Sequence, residues 1–318
     1  MGLRVVVTGA GGFLGSRLAA SLLSEAQMTI CGQTALIEEL RLVDRVDPPA
    51  ALIPGPRTVT VVVDLSSDTA DLSFVDGADV IFHLAAAVSA DCEADFDLGM
   101  RSNLSATIRL LQRCRAEPEP PLFVFASSVA VFGPGPVDDD TLPTPQSSYG
   151  TQKLTCEYLI ADCTRRNFVR GRCVRLMTVS VRPGRPNGAA SSFLSGVVRE
   201  PLSGSPATVP ARPDDEVAIA SPSRTVAGLL RAASATDEEW GDRPLNLPSL
   251  RITVGDMVTE VIRRSPTAAQ LITWSEDPGV RRIVQSWPSR FDMSRAADLG
   301  LFPDTSFAEL VDEFVRDR

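Results

Sequence analysis

A chain of 318 residues with 44% hydrophobic and 22% charged side chains fits one large α/β unit, or a core with a smaller lobe attached. At this length about 75% of the unfolded surface can be buried, so no disulfide or metal staple is required. The formal net charge of −9 argues against nucleic-acid partners, which need a clustered basic face.

One histidine and six cysteines (Cys31, Cys92, Cys114, Cys156, Cys163 and Cys173), with no Cys-x-x-Cys pair, leave little for a zinc site, and no metal is expected. Free thiols in a reducing cytosol fit this pattern. No leader-like stretch precedes the first strand and no apolar run is long enough for a membrane span, so a cytoplasmic protein without membrane partners is expected.

In chain order, Leu3–Thr8 is an apolar, β-branched strand, followed by glycines and an apolar-periodic helix from about Phe13 to Ser24. Further short apolar runs predict buried strands at Glu39–Val43, Thr58–Val63, Val80–Leu84, Leu122–Ala126 and Gly171–Met177. Helices fit between them at about 97–115 and 148–166. Continuous apolar strands alternating with helices predict a doubly wound parallel sheet of Rossmann type, covered on both faces. After Met177 the segment 180–216 turns rich in Arg, Pro, Gly and Ser. Val217–Ala220, Thr225–Ala233 and Pro244–Leu247 read as a return to the core, and 251–318 as helices with a short strand near 271–274. The expected division is a dinucleotide-binding core of 1–178 plus 217–250, and a smaller substrate-binding lobe of 179–216 plus 251–318.

The first chemical signal is Thr8-Gly9-Ala10-Gly11-Gly12-Phe13-Leu14-Gly15. Between a strand and a helix, Gly9 permits a tight turn, Gly12 lets backbone approach a pyrophosphate, and Gly15 allows close helix–strand packing. The helix start at Phe13 and Leu14 supplies free N–H groups for phosphate. Asp44, at a strand end, can accept hydrogen bonds from the adenosine ribose and repel a 2′-phosphate, favouring NAD over NADP. Its distance from the glycines is longer than usual, and Arg41 and Arg45 flank it. Asp64-Leu65 follows the next strand, where adenine would lie, although Asp64 serves equally well as a helix cap. Leu84, Ala85 and Ala86 end the next strand with small side chains beside the expected groove. His83, just before them, reads as a packed core imidazole, because no nucleophile or acid stands at a useful spacing.

The second signal is Ser127-Ser128 at a strand end together with Tyr149-Gly150-Thr151-Gln152-Lys153 at a helix start. Tyr149 and Lys153, four apart, share one helix face. The ammonium is expected to stabilise a phenolate and lower its pKa from about 10, while Ser128 holds the substrate oxygen whose proton Tyr149 removes. Arg182 and Arg185 flank a glycine beyond the strand ending at Met177, where a planar carboxylate could be met bidentately. Asn187 could add a hydroxyl contact.

With these motifs the chain resembles the extended short-chain dehydrogenase/reductase family, which includes sugar-nucleotide epimerases and dehydratases. The resemblance spans nearly the whole chain through Thr8–Gly15, Asp64-Leu65, His83–Ala86, Asn103, Phe125–Gly133 and Tyr149–Lys153. It implies that Asn103 and the backbone around Met177 hold the nicotinamide half of NAD, and that helices 97–115 and 148–166 pair in a homodimer. Within the family the chain is most similar to D-erythronate dehydrogenases, in Glu93–Gly99, Thr144–Gln146, Thr178–Asn187, Ala189–Phe193 and Trp287–Asp292. That similarity implies oxidation of the C2 hydroxyl of a small sugar-acid substrate to a 2-oxo acid. Met177 stands where such sequences carry proline, and Asp214–Ala220 matches less well. The alternative is a nucleotide-sugar epimerase or dehydratase that retains its NAD. A non-catalytic dinucleotide sensor would be expected to lack the tyrosine or the lysine, and both are present.

Overall fold

The computed structural model describes residues 2–52, 55, 57–184 and 191–317. Its main sheet runs, from one edge, Leu245–Asn246, Arg170–Leu176, Leu122–Ser128, Val80–His83, Leu3–Thr8 and Gln33–Asp44, with Thr58–Val62 beyond Gln33–Asp44. All of these pairs are parallel. The alternating apolar strand pattern explains the layering. Val5, Val7, Leu40, Leu42, Phe82 and Val124 face one side, against the helices Phe13–Glu25 and Pro222–Ser234. Val6, Val43, Ile81, Phe123 and Phe125 face the other, against Ala106–Cys114 and Ser148–Arg165. Both faces are covered, as the sequence predicts.

From Leu3–Thr8 the chain winds outward to Gln33–Asp44 and Thr58–Val62. It then returns to Val80–His83 on the other flank. The crevice between the carboxyl ends of Leu3–Thr8 and Val80–His83 is therefore the topological switch point, where ligands bind in such sheets.

Two elements depart from expectation. The predicted strand Glu39–Val43 is only the second half of Gln33–Asp44, whose first half pairs antiparallel with Gln27–Ile30. The hairpin turns on Cys31 and Gly32, with φ of 47° and 80°, the paired positive values of a tight two-residue turn. This inserted hairpin is why Asp44 lies so far in sequence from the glycines. The predicted helix 97–115 is three segments: Phe96–Gly99, a π-helical stretch Met100–Ser105, and Ala106–Cys114.

The second core gathers Val181, Leu194, Val198, Val209, Met257, Val261, Leu310 and Phe314, from the segments after Met177 and after Thr253. A small sheet joins the two cores, with Glu216–Ala220 between Leu250–Thr253 and Thr178–Val179. Side chains of Glu216–Ala220 alternate, Val217 and Ile219 entering the second core and Ala218 and Ala220 the main one. Ala296 and Leu299 also return to the main core. One strand thus packs against both cores, and residues near 294–301 pack against the sheet.

Candidate active site

The switch-point crevice opens into a cleft of about 340 Å³. One wall is the glycine turn. Gly9 has φ 76°, and a Cβ there would stand 2.8 Å from the Ala85 nitrogen. A Cβ on Gly15 would stand 2.0 Å from the Gly9 carbonyl oxygen, so helix and turn touch only through bare backbone. The helix N-cap is Gly12, which has no side-chain oxygen to close the first turn. First-turn N–H groups at Phe13 and Leu14 have no intrahelical acceptors and border the cleft. Such a cradle, which a single methyl would fill, fits a dinucleotide pyrophosphate.

Leu84 and Ala86 line the cleft opposite, with Ala85 against Gly9. Asp44 folds back toward the turn: Oδ2 accepts from the Gly11 N–H at 2.9 Å and Oδ1 from the Arg45 N–H at 2.7 Å. Arg41, the other arginine flanking the aspartate, is turned away onto Glu39 and the Phe74 and Asp76 carbonyls. Arg45 is exposed. Asp64 takes the capping alternative, accepting from the Ser66 N–H at 2.8 Å and the Ser66 hydroxyl at 2.7 Å, which lowers its pKa. Leu65 is buried beside it, and neither borders the cleft.

Asn103 is also off the cleft wall. Its Oδ1 accepts from the Ala87 N–H at 2.8 Å, and its Nδ2 donates to Gln152 Oε1 at 2.9 Å. It fixes the backbone at Ala87, which does line the cleft, from behind. Its amide is thus engaged with Ala87 and Gln152, next to the cleft wall on which the resemblance places the nicotinamide half of the cofactor. His83 is a core imidazole, bonded to Thr8 Oγ1 at 2.7 Å and Thr107 Oγ1 at 3.0 Å.

The reacting end brings together Ser128, Tyr149, Lys153, Met177 and Arg182. Ser147 caps the helix Ser148–Arg165 by accepting from the Gly150 N–H. Gly150 lies so close to the preceding turn that a Cβ would come within 2.0 Å of the Ala130 oxygen. That approach sets the Tyr149 phenol beside the Ser128 hydroxyl, which favours the ionised form of the phenol. Burial pushes the phenol up to about 12, against the Ser128 hydroxyl and the nearby Arg182 charge. The expected lowering by Lys153 is not what the geometry produces. Lys153 donates to the Ala126 carbonyl at 2.8 Å and lies 4.6 Å over the Phe125 ring, 5.7 Å from the Tyr149 ring centre. Burial pulls Lys153 itself down to about 8.

Arg182 makes no ion pair with any described carboxylate; its Nε donates to the Val179 carbonyl at 3.2 Å, and burial lowers its pKa. A guanidinium so placed, facing a phenol, is suited to an incoming carboxylate. Arg185 and Asn187 lie outside the described residues. Among cleft residues that the sequence did not single out as contacts are Ser89, Ser191 and Trp287. Trp287 reaches the cleft from the second lobe, and no local spacing signals such a long-range approach.

The fold and cleft together define a dinucleotide-binding α/β enzyme whose cleft gathers Ser128, Tyr149 and Lys153. The chain belongs to the NAD dependent epimerase/dehydratase family, which it matches over residues 5–215. It is 43% identical to a D-erythronate dehydrogenase of Cupriavidus necator, over 99% of this chain and 98% of that one. It is 38% identical to a D-erythronate dehydrogenase of Haemophilus influenzae, over 98% and 99%. Among solved structures it is similar to a nucleoside-diphosphate-sugar epimerase from Agrobacterium tumefaciens, with TM-score 0.89 and 34% identity, covering 100% of this chain and 94% of that one.

Proposed function

We propose that this protein is an NAD-dependent dehydrogenase that oxidises the C2 hydroxyl of a small, D-erythronate-like sugar acid to the 2-oxo acid. Two full-length relatives bearing that activity in their names support the reaction class. The structural observation that carries the substrate class is Arg182, a cation without a described carboxylate partner, set in the same cleft as the Tyr149 phenol.

Gly9, Gly12, Phe13, Leu14, Leu84 and Ala86 would hold the dinucleotide, with Asp44 at the adenosine ribose and Met177 near the nicotinamide. Bound there, NAD supplies the hydride acceptor for C2. Ser128 holds the substrate oxygen, and Arg182 grips the carboxylate, with Arg185 and Asn187 proposed as further contacts. Tyr149, as phenolate, takes the hydroxyl proton. Its pKa near 12 in the free chain means that cationic neighbours must favour the phenolate before oxidation proceeds. Lys153, on the same helix face, and Arg182 are the positive groups available.

Reduced-nicotinamide absorbance tests this reading. D-erythronate with NAD should give NADH continuously, in proportion to acid consumed. Turnover of a nucleotide sugar with no net NADH, and none with sugar acids, would favour the epimerase or dehydratase reading that the Agrobacterium structure's name suggests. We also propose a cytoplasmic homodimer; Phe96 and Tyr158, 59% and 61% exposed on the two candidate helix segments, support that face, and light scattering tests it.

A further inference from the structure

Trp287 occupies a position that the chemistry above leaves unassigned. It is carried by a short connection between the helix Pro278–Gln285 and the strand Arg290–Phe291, and its indole lines the cleft beside the reacting residues. Its other surroundings belong to the second core, against which it packs. A separate small space also borders it, lined by Val129, Leu194, Val217 and Val284 together with Glu216. Trp287 thus stands as a partition between the cleft and this small space.

Two consecutive acids hold the partition. The buried Asp215 carboxylate accepts from Arg281 Nε at 2.9 Å, Arg281 Nη2 at 3.0 Å and Gln285 Nε2 at 2.8 Å, fixing the helix that precedes Trp287. Glu216 accepts from the Ser289 hydroxyl at 3.2 Å and pairs with Arg290 at 3.7 Å, fixing the segment that follows. Glu216 opens the strand shared by the two cores and Asp215 immediately precedes it, so the tryptophan is referenced to the same framework that packs against both cores. A side chain there for packing alone would not need bracing on both sides of a four-residue connection.

We infer that Trp287 is the specificity-determining wall that limits the substrate to a short carbon chain, with Asp215 and Glu216 as its positioning residues. This inference rests on the sugar-acid reading above. With the carboxylate at Arg182 and C2 at Tyr149, the far end of the acid must run along the remaining cleft wall, and the indole closes it. Longer acids meet a braced aromatic ring rather than a mobile loop. Truncating the ring vacates the volume of the indole itself, and that gives a longer chain room.

The test compares four-, five- and six-carbon sugar acids (erythronate, a pentonate and gluconate) with NAD, in the wild type and in Trp287→Ala, Trp287→Leu and Trp287→Phe. The wild type should lose about tenfold or more in kcat/KM per added carbon, the scale on which a pocket rejects one surplus carbon. Trp287→Ala and Trp287→Leu should raise the gluconate-to-erythronate ratio by about tenfold or more, mainly through KM, while Trp287→Phe keeps it near the wild-type value. The KM for NAD should be unchanged in all of them. A wild type that uses gluconate as well as erythronate overturns the inference, and so does an unchanged ratio in a variant that still binds NAD. Absence of NADH from every sugar acid in the wild type is a different failure, and overturns the underlying reading itself. Should Trp287→Ala fail to fold, the wild-type series and Trp287→Leu decide the matter.

Discussion

Lys153 Nζ donates to the backbone carbonyl of Ala126 at 2.8 Å, so the lysine ties the helix that carries Tyr149 to the strand that carries Ser128. Its ammonium also lies over the Phe125 ring at 4.6 Å, and the side chain is buried. It therefore contributes position as well as charge. Lys153→Met should lower kcat by about 100-fold or more, within the usual range for losing acid–base function. Lys153→Arg should not restore it, because a planar guanidinium does not replace a compact ammonium in that buried position. Steady-state rates at saturating NAD and substrate, alongside thermal melting, separate lost chemistry from lost folding.

The phenol of Tyr149 gives a spectroscopic prediction. The chain has two tyrosines, Tyr149 and Tyr158, so their ultraviolet titrations can be separated by substitution. Burial raises the Tyr149 pKa to about 12, which keeps it protonated where an ordinary phenol ionises. The absorbance difference between the wild type and Tyr149→Phe, without cofactor, should show no phenolate step near pH 10. A step there means that the burial argument is wrong. Tyr149→Phe should also abolish turnover by about 100-fold or more while leaving NAD binding intact.

Arg182 is held by its backbone as well as its side chain. Its N–H donates to Ser195 Oγ at 3.0 Å, and its carbonyl accepts from Arg199 Nη1 at 2.8 Å. Ser195 and Arg199, four apart on the helix Ser192–Leu202, are both buried. Arg182→Met should raise KM for the acid by about 10- to 100-fold, the scale of a charged hydrogen bond, with little change in KM for NAD. Arg199→Met should raise the same KM by a smaller factor and leave kcat nearly unchanged, as expected of a residue that acts by positioning Arg182. An equal loss in kcat and no change in KM would contradict the carboxylate role.

Much of this site was legible in the sequence because its parts are local. The glycine turn, the Tyr-x-x-x-Lys spacing and the serine pair each occupy a few consecutive residues at strand–helix junctions, where periodicity marks the elements. What was not legible depends on contacts far along the chain. The hairpin ending at Ile30 and resuming at Gln33 was hidden because its turn uses Cys31-Gly32 rather than a more familiar Asn-Gly. The engagement of Asn103 rests on partners at 87 and 152, and the π-helical stretch around it leaves no spacing signal. The bond from Lys153 to the Ala126 carbonyl joins residues 27 apart, and only the packed structure shows it.

Asp44 carries a cofactor prediction. Its carboxylate caps the glycine turn through Gly11, and its exposed neighbour Arg45 stands ready for extra negative charge. Replacing Asp44 with serine should weaken the preference for NAD over NADP by about tenfold or more, since a carboxylate no longer repels the 2′-phosphate. The ratio of kcat/KM for the two cofactors checks this. An unchanged ratio would place cofactor selection elsewhere.

His83 sits at the middle of a directional hydrogen-bond chain, and that chain makes the fold acid-sensitive. Thr107 Oγ1 donates to the Asn103 carbonyl at 2.6 Å, so its oxygen accepts from His83 Nε2. Nδ1 is then the acceptor for the Thr8 hydroxyl, whose oxygen in turn accepts from the Ala85 N–H. A second proton on the ring would turn Nδ1 against the Thr8 proton, and burial with the Lys153 charge nearby lowers the His83 pKa to about 3. The unfolded ring titrates near 6.5. Between those values the unfolded state binds the extra proton, so stability is full above about pH 6.5 and falls as the pH drops toward 3. The limiting slope is about 1.4 kcal/mol per pH unit from this one ring. Urea unfolding at pH 7, 6, 5 and 4 should show the wild type losing stability more steeply than His83→Gln, by a margin approaching that slope between pH 6 and 4. Other groups titrate alike in both proteins, so the difference isolates the ring. Parallel curves would mean that His83 is charged in the folded chain.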